Sequence, residues 1–481
     1  MLLLILILCP IVLSLLTLAV RKILLMEIIA AVMGVTEFIL SVWIALQVAS
    51  DDIYSLLPYF SVDAVGAVIL SSVAVVGLAS SIYSIGYLRQ EVLKGIIGFR
   101  RVRQYFALLG LFLAVMFFAI STTSPIMMWI GIEATTLATA FLISFYNKPS
   151  AIEAAWKYLI INSIGLLLAF FGTLLFFTSL GNAGFLGLVN WGTLLSGSSG
   201  LNPMIAKIAF IFAFIGYGTK VGLAPMHTWL PDAHSKAPSP ISALLSGALL
   251  NVALLAILRF KIVTDSVVGP DFSQNLLIFF GILSMVVAAF IIFVQKNFKR
   301  LLAYSSIEHM GIAAVGFGFG GIGTFAALLH LLYHSLAKSL LFLTAGNIFL
   351  KYSSTKIAKV KGLLSSMPVT GVVFIAGFLA ITGVPPFGIF VTEFFILSAG
   401  FASHTVSSIV MLAALALIFA GFLRHVSRMV FGEKPEDVLK GEISRLASMT
   451  PLAVMVALAV LSVYIPGPLK ELLVSAASLI Q

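Results

Sequence analysis

Apolar runs of 18 to 30 residues alternate with short polar stretches along the whole chain. A run of that length crosses a bilayer as a helix, whereas a membrane strand needs only about ten residues and alternates its faces. Polar punctuation delimits fourteen predicted spans, near 2–20, 24–49, 60–87, 104–121, 124–146, 154–179, 203–229, 239–264, 274–294, 300–318, 322–350, 367–402, 405–430 and 448–466. The predicted fold is an all-α polytopic membrane protein, since a helix satisfies its backbone hydrogen bonds within one segment.

Composition agrees with this pattern. Of 481 residues, 61% are hydrophobic and 10% charged, an apolar excess that a water-facing surface cannot accommodate. The single cysteine, Cys9, excludes an internal disulfide and a four-thiolate cluster. The first run has no leading positive charge, and the basic pair Arg21-Lys22 follows it, which favours a retained span over a cleaved signal.

The net charge of +10 takes its meaning from where the charges fall. Sorting Lys and Arg into alternate loops puts 21 on one side and three (Arg259, Lys261 and Lys470) on the other. The rich side is then cytoplasmic, with both termini outside. The basic excess reads as a topology signal and an anionic-lipid contact, not as a nucleic-acid footprint. The largest cytoplasmic insert, about 429–448, is too short for a domain, so redox or nucleotide chemistry is expected on other chains.

Four Lys remain inside spans, and each intramembrane charge costs at least about 2.5 kcal/mol, which makes it a candidate functional residue. Glu133 lies about nine residues into the fifth span, roughly 14 Å deep at helical rise. Lys220 lies in the seventh span and Glu393 in the twelfth. His330, His334 and Lys338 recur every four residues in the eleventh, so they share one helix face. A carboxylate facing a lysine, with histidines between such charges, can load, relay and release protons. A static ion pair that locks helices is the plainer reading, but it fits one pair better than charges in four spans.

Pro225 and Pro385-Pro386 interrupt the seventh and twelfth spans, with glycines beside them. Proline deletes a backbone hydrogen bond and leaves carbonyls free to hold water or ions. Two broken helices at corresponding places, with Ile132-Glu133 echoed by Ile307-Glu308, point to five-helix repeats in spans 4–8 and 9–13. Because five is odd, consecutive copies are inverted. The chain then divides into 1–103 (spans 1–3), 104–264 and 274–430 (the repeats), and 431–481 (a cytoplasmic link and span 14).

Other polar residues carry weaker signals. Glu308 and His309 are candidates to line a path. Lys157 is another, although a lysine near the cytoplasmic end of a span can snorkel, as is expected of Lys207. Glu37, outside the repeats, suits a packing hydrogen bond or a lateral subunit contact. His227 and His234 flank Asp232 too loosely for a metal site and suit cytoplasmic proton entry or loop anchoring. His330 and His334 lack an evident third ligand, so no metal is expected there. Gly318-Phe-Gly320-Gly-Ile-Gly323 has the spacing of a dinucleotide-binding turn, but it joins two membrane helices with no strand before it.

These residues stand in Ile-Glu133-Ala-Thr-Thr, Lys220-Val-Gly-Leu-Ala-Pro225-Met-His227-Thr-Trp-Leu-Pro-Asp232-Ala-His234, Leu-Leu-Ala-Tyr304-Ser-Ser and Phe-Val-Thr-Glu393-Phe. With them, roughly residues 60–430 resemble the antiporter-like subunits of respiratory complex I, Mrp cation/proton antiporters and group 4 membrane-bound hydrogenases. The resemblance implies fourteen helices, inverted repeats and a hydrated axis joining two half-channels. It matches Glu133 to the family's fifth-span glutamate, Lys220 to its seventh-span lysine, Lys338 to its connecting lysine and Glu393 to its terminal residue. Glutamate at 393 resembles the M-type subunit of complex I. Asn251 stands where that type has lysine, which shifts the central relay to His330, His334, Lys338 or water. Ser-Ile-Glu308-His309-Met-Gly resembles the F-type subunit of hydrogenase-4, and the long lateral helix of the L type is not expected.

The implied function is a proton- or sodium-translocating subunit of a multi-subunit redox complex in a prokaryotic inner membrane, of the membrane-bound hydrogenase, formate hydrogenlyase or complex I kind. The partners would be other membrane subunits and a hydrogenase- or dehydrogenase-like soluble arm. Iron–sulfur or nickel–iron centres are expected on those partners and none on this chain. A subunit of an Mrp-type sodium/proton antiporter and an inert membrane anchor are the alternatives.

Overall fold

A computed structural model describes residues 1–56, 58–178 and 189–481. Helices α1 (Leu2–Ala19) and α2 (Ile23–Asp51) lead into a short antiparallel hairpin, β1 (Ile53–Leu56) and β2 (Phe60–Asp63). Then follow α3 (Ala64–Leu93), α4 (Phe99–Ser121), α5 (Pro125–Ile143), α6 (Pro149–Phe177), a short α7 (Trp191–Ser196), α8 (Pro203–Val221) and α9 (Trp229–Lys236). Helix α10 (Ser239–Leu244) continues through a π turn at Leu245–Leu249 into α11 (Leu250–Val268). After these come α12 (Asp271–Val294), α13 (Phe298–Phe319), α14 (Ile322–Tyr352), α15 (Leu363–Ser366), α16 (Pro368–Ile381), α17 (Gly388–Ser403), α18 (Thr405–Val430), α19 (Arg445–Val463) and α20 (Gly467–Ile480).

Among the described residues, twelve helical segments are long and apolar enough to cross a membrane, with α10 and α11 counted as one. Helix α13 has span length but carries Lys299, Arg300 and Glu308, and it falls outside that count. The chain is thus an almost wholly helical membrane protein, with two departures from the predicted pattern, the hairpin and the added α20. Residues 60–63 are strand, and α3 starts only at Ala64, where the Asp63 carboxylate accepts a hydrogen bond from Gly66 N at 2.9 Å and caps the helix. The seventh run is two helices, α8 and α9, and the twelfth is α16 and α17. The amphipathic α20 follows the last predicted span; it buries Leu472, Leu473, Ala476 and Ala477 and is too short to be found as a span. The last residue of the sixth run, 179, lies outside the described residues.

Both interruptions fall at the predicted prolines. After α8, Gly222 takes a left-handed conformation (φ 83°) three residues before Pro225. After α16, Gly383 does the same (φ 64°) three residues before Pro386. A residue with a Cβ resists that conformation, and proline cannot continue a helix. The Ala224–Pro225 and Pro385–Pro386 bonds are cis. The first break is braced by Ser284 Oγ, which accepts from Ala224 N at 2.9 Å, and by Trp229 Nε1, which donates to Thr219 O at 2.8 Å.

Burial orders the bundle. The α10–α11 segment and α14 are fully buried over their apolar windows, whereas those of α1, α2, α18 and α19 are one-third buried and present Leu, Ile, Val and Phe outward. Charged and hydroxyl side chains can therefore be carried at the centre, away from lipid. Small residues let helices meet closely, as membrane packing requires. Gly165, Ala169 and Gly172 of α6 face Ala209, Ala213 and Gly216 of α8, and Gly281 of α12 faces Gly311 of α13.

Where the hairpin meets the bundle, Arg259 of α11 donates two hydrogen bonds to Asp63, one of them Nη2 to Oδ1 at 2.7 Å. Asp63→Ala removes the α3 cap and leaves this largely buried guanidinium without its partner. We expect a loss of ~2 kcal/mol or more, read as a lower thermal midpoint in detergent. Asp63→Asn, which keeps a capping oxygen, should lose less. An Asp63→Ala protein as stable as the parent would contradict the assignment.

Candidate functional site

Two clusters of polar side chains lie inside the bundle. The first is formed by α5, α6 and the last turn of α8. Lys220 is fully buried and donates to Thr136 Oγ1 at 2.8 Å and to Tyr158 OH at 2.7 Å. Its ammonium also lies 4.8 Å from the centre of the Tyr158 ring. Glu133 is half-buried and receives Ser163 Oγ at 2.8 Å and Thr136 Oγ1 at 3.3 Å. The predicted pair is therefore joined through a hydroxyl and not by direct contact. Thr136 is one turn beyond Glu133 on the same helix, and it accepts from Lys220 while donating to the carboxylate. A hydroxyl holding both bonds can pass a proton from the ammonium to the carboxylate by exchanging which bond it donates.

The second cluster is centred on α14. Lys338 is fully buried and donates to Leu302 O at 2.8 Å and to Ser305 Oγ. Glu308, on the same helix as Ser305, lies within electrostatic reach of Lys338 and of Glu393. His309 and His330 are joined, Nδ1 to Nε2, at 2.9 Å, and the His334 ring lies 5.3 Å from that of His309. His309 Nε2 meets Ile381 O at 2.9 Å, and His330 Nδ1 meets Thr392 Oγ1 at 2.9 Å, next to Glu393 in the chain.

The break in the twelfth predicted span orients this series. Ile381 O would normally accept from the amide four residues on, but that residue is Pro385, which has none. The free carbonyl can only accept, so His309 Nε2 carries a hydrogen. With neutral rings, His309 Nδ1 then accepts from His330 Nε2, and His330 Nδ1 accepts from the Thr392 hydroxyl. That hydroxyl also has Ile389 O at 2.8 Å, and one hydrogen cannot serve both. A proton arriving on His330 Nδ1 would release Thr392 to Ile389. The arrangement is thus an ordered series with two settings.

Several buried atoms along these clusters have no partner among the described residues: Glu308 Oε2, Glu393 Oε1, both ring nitrogens of His334 and Asn251 Oδ1. Buried polar atoms are almost always satisfied by protein or water, so these positions suit a hydrated interior. Asn251 Nδ2 donates to Ser335 Oγ at 2.9 Å, and Ser246 in the π turn bonds Ser306 at 2.7 Å. The centre that lacks a second lysine is lined by hydroxyls and an amide. Gly383 lies directly behind Glu393; a Cβ there would fall 2.1 Å from its Oε2.

The other predicted residues lie elsewhere. Lys157 is half-exposed and pairs with Glu153 at 2.7 Å and Asp232 at 3.5 Å, and Arg300 donates to Asp232. Lys157 therefore snorkels into an ion-pair network at the surface. His227 sits edge-on to Tyr304, ring centres 6.2 Å apart, and buried His234 stacks on Phe342 at 4.8 Å. Lys207 lies 5.5 Å from the centre of the Phe272 ring. Glu37 does not form the packing hydrogen bond that was one of its two expected roles. It is 1% exposed, and neither carboxylate oxygen has a partner among the described residues. Among the described residues, no three His, Cys, Asp or Glu side chains are grouped as for a metal ion. Thr136, Tyr158, Ser163, Ser305 and Thr392 were not foreseen; the hydroxyls one turn from Glu133 and beside Glu393 were the available signal.

Comparison with known proteins adds to this geometry. Residues 122–420 match the transmembrane family described as NADH:quinone oxidoreductase/Mrp antiporter. The chain is 39% identical to the hydrogenase-4 component F homolog of Methylacidiphilum infernorum over 384 residues, 79% of this chain and 80% of that one. It is 30% identical to NADH-quinone oxidoreductase subunit L of Campylobacter jejuni over 83% of this chain and 65% of that longer one. Similar folds occur in the archaeal membrane-bound sulfane sulfur reductase (TM-score 0.87, 22% identity, 99% and 97% of the two chains) and in respiratory complex I of Thermus thermophilus (TM-score 0.83, 23% identity, 100% of both). The Mrp complex of a Dietzia species holds another, with TM-score 0.87 at 19% identity over 99% and 96% of the two chains.

Proposed function

Because the chain belongs to the NADH:quinone oxidoreductase/Mrp antiporter transmembrane family, we propose that this antiporter-like membrane subunit moves protons along Glu133, Thr136, Lys220, the α14 cluster and Glu393. The observation that carries the reading is the ordered series Thr392–His330–His309–Ile381 beside Lys338, whose ring nitrogens exchange protons and offer sodium no oxygen cage. Lys220 loads Glu133 through Thr136, and a change in the hold of either charge alters the hold of the other. Lys338 and Glu308 pass the charge toward Glu393, beside the helix break.

The two breaks, Gly222-Leu-Ala-Pro225 and Gly383-Val-Pro-Pro386, share their spacing and their left-handed glycine, which supports inverted repeats at 104–264 and 274–430. The excess of Lys and Arg in alternate loops supports a prokaryotic inner-membrane placement with both termini outside. The assembly is a redox complex of the hydrogenase or complex I kind: other membrane subunits flank this one, and a soluble arm holds the iron–sulfur or nickel–iron centres. The likeness to the Mrp complex favours a second reading, a gradient-driven antiporter without a redox arm.

The test is Lys220→Ala in the intact complex, in sealed vesicles. Proton translocation should fall at least about tenfold while the complex remains assembled. Full translocation by an assembled variant would sink the reading and leave a membrane anchor.

A further inference from the structure

On the Lys/Arg-rich side, a further polar cluster lies outside the line described above. Glu91, near the end of α3, is fully buried. Its Oε1 accepts from Tyr146 OH at 2.5 Å, and Tyr146 OH is bonded to Tyr87 OH at 3.0 Å. Its Oε2 has no partner among the described residues. Lys299, buried at the start of α13, acts electrostatically on Glu91 and donates its own hydrogen bond to Ala237 O at 2.9 Å.

The cluster is not sealed. A cavity of about 170 Å³ is lined by Tyr87, Tyr146, Lys148, Ser235, Lys236 and Lys299. It has room for several waters, and Lys148 at its edge is exposed. Inward, Lys299 and Lys338 both act electrostatically on His234, whose two ring nitrogens are buried without a partner among the described residues. Lys299 thus acts on both Glu91 and His234, and His234 lies within electrostatic reach of the central Lys338. Glu91 Oε2 and both His234 ring nitrogens, unpartnered among the described residues, suit bridging waters.

A buried carboxylate that only locked helices together would be expected to use both oxygens. Glu91 uses one, on the Tyr146 phenol at the wall of a cavity that has room for several waters. We infer that Glu91 is the proton-uptake residue on the basic face: cavity water gives a proton to the Tyr146 oxygen as that phenol passes its own to the carboxylate, and Glu91 hands it on, through water, to the neutral imidazole of His234, which gives it to the amine form of Lys338. Tyr146, which lines the cavity, bonds the carboxylate, and Tyr87 bonds the Tyr146 hydroxyl. This inference rests on the translocation reading above and adds the place where protons enter.

The test compares the parent, Glu91→Gln, Glu91→Asp, Tyr146→Phe and Lys220→Ala in the intact complex, by proton translocation in sealed vesicles with assembly checked in parallel. Glu91→Gln keeps the oxygen that Tyr146 bonds but cannot carry a proton, and it should translocate about tenfold more slowly with assembly unchanged. Glu91→Asp should recover much of the rate, which a purely structural role would not produce. Parental translocation by Glu91→Gln, together with loss in Lys220→Ala, would overturn the inlet and leave the translocation reading standing. Parental rates in both would overturn that reading too. If Glu91→Gln does not assemble, Tyr146→Phe decides: a slowed assembled variant supports the inlet, and a parental rate overturns it.

Discussion

Gly216→Leu is expected to leave almost no assembled protein in the membrane. A Cβ on Gly216 would lie 2.4 Å from Ala169 N and 2.5 Å from Gly165 O, and both atoms are helix backbone that cannot rotate aside. Ordinary overpacking costs ~1–3 kcal/mol, and a whole isobutyl group at this crossing must exceed that by forcing α6 and α8 apart. The consequence reaches the chemistry, because Lys220 is one turn further along α8 and both its hydroxyl partners are on α5 and α6. Gly216→Ala should assemble at a reduced level and with a lower thermal midpoint. Native gels and thermal melts of membrane extracts read both effects. Normal levels of Gly216→Leu would mean that the helices are not packed this closely.

Lys338→Ala is expected to stop translocation while the complex stays assembled. Lys338 is a fully buried lysine of α14, where Asn251 and the serines around it can orient water but cannot hold a charge. Removing the ammonium leaves Ser305 and Leu302 O to water, which the surrounding hydroxyls can support, so folding should survive. Charge transfer between the His234 side and Glu308 should not. Translocation is expected below about a tenth of the parental rate, and Lys338→Arg should not restore it, because a guanidinium does not release its proton near neutral pH.

Much of this was legible in the sequence because lipid makes the rules strict. Run length placed the helices, and intramembrane charge singled out Glu133, Lys220, Lys338 and Glu393. Pro225 and Pro385-Pro386, each with a glycine three residues before its last proline, marked both breaks, whereas the lone Pro10 and Pro451 sit inside α1 and α19 without ending them. What the sequence hid was of two kinds. Hydroxyl partners such as Thr136, Ser305 and Thr392 are ordinary residues in membrane helices, and only the packing of three or four helices shows which of them touch a charge. Glu91 was hidden by position: near the end of a span it looks like an interfacial residue, and its burial comes from Tyr87, Tyr146 and Lys299, the last of them more than two hundred residues away. Lys157 was open in the sequence between a path and a snorkelling side chain. Depth along a helix suggested a path, but its azimuth points it outward to Glu153 and Asp232. Azimuth also separates α20 from the spans: its apolar face is one-sided, which run length does not detect.

The most direct test is proton translocation by the intact complex in sealed vesicles from which sodium has been omitted, with the parent and Lys338→Ala measured side by side. A proton line through His309, His330 and Lys338 predicts that the parent translocates protons as fast without sodium as with it, and that Lys338→Ala does not. A parent that stays silent until sodium is added, or an assembled Lys338→Ala complex that translocates at the parental rate, would contradict it.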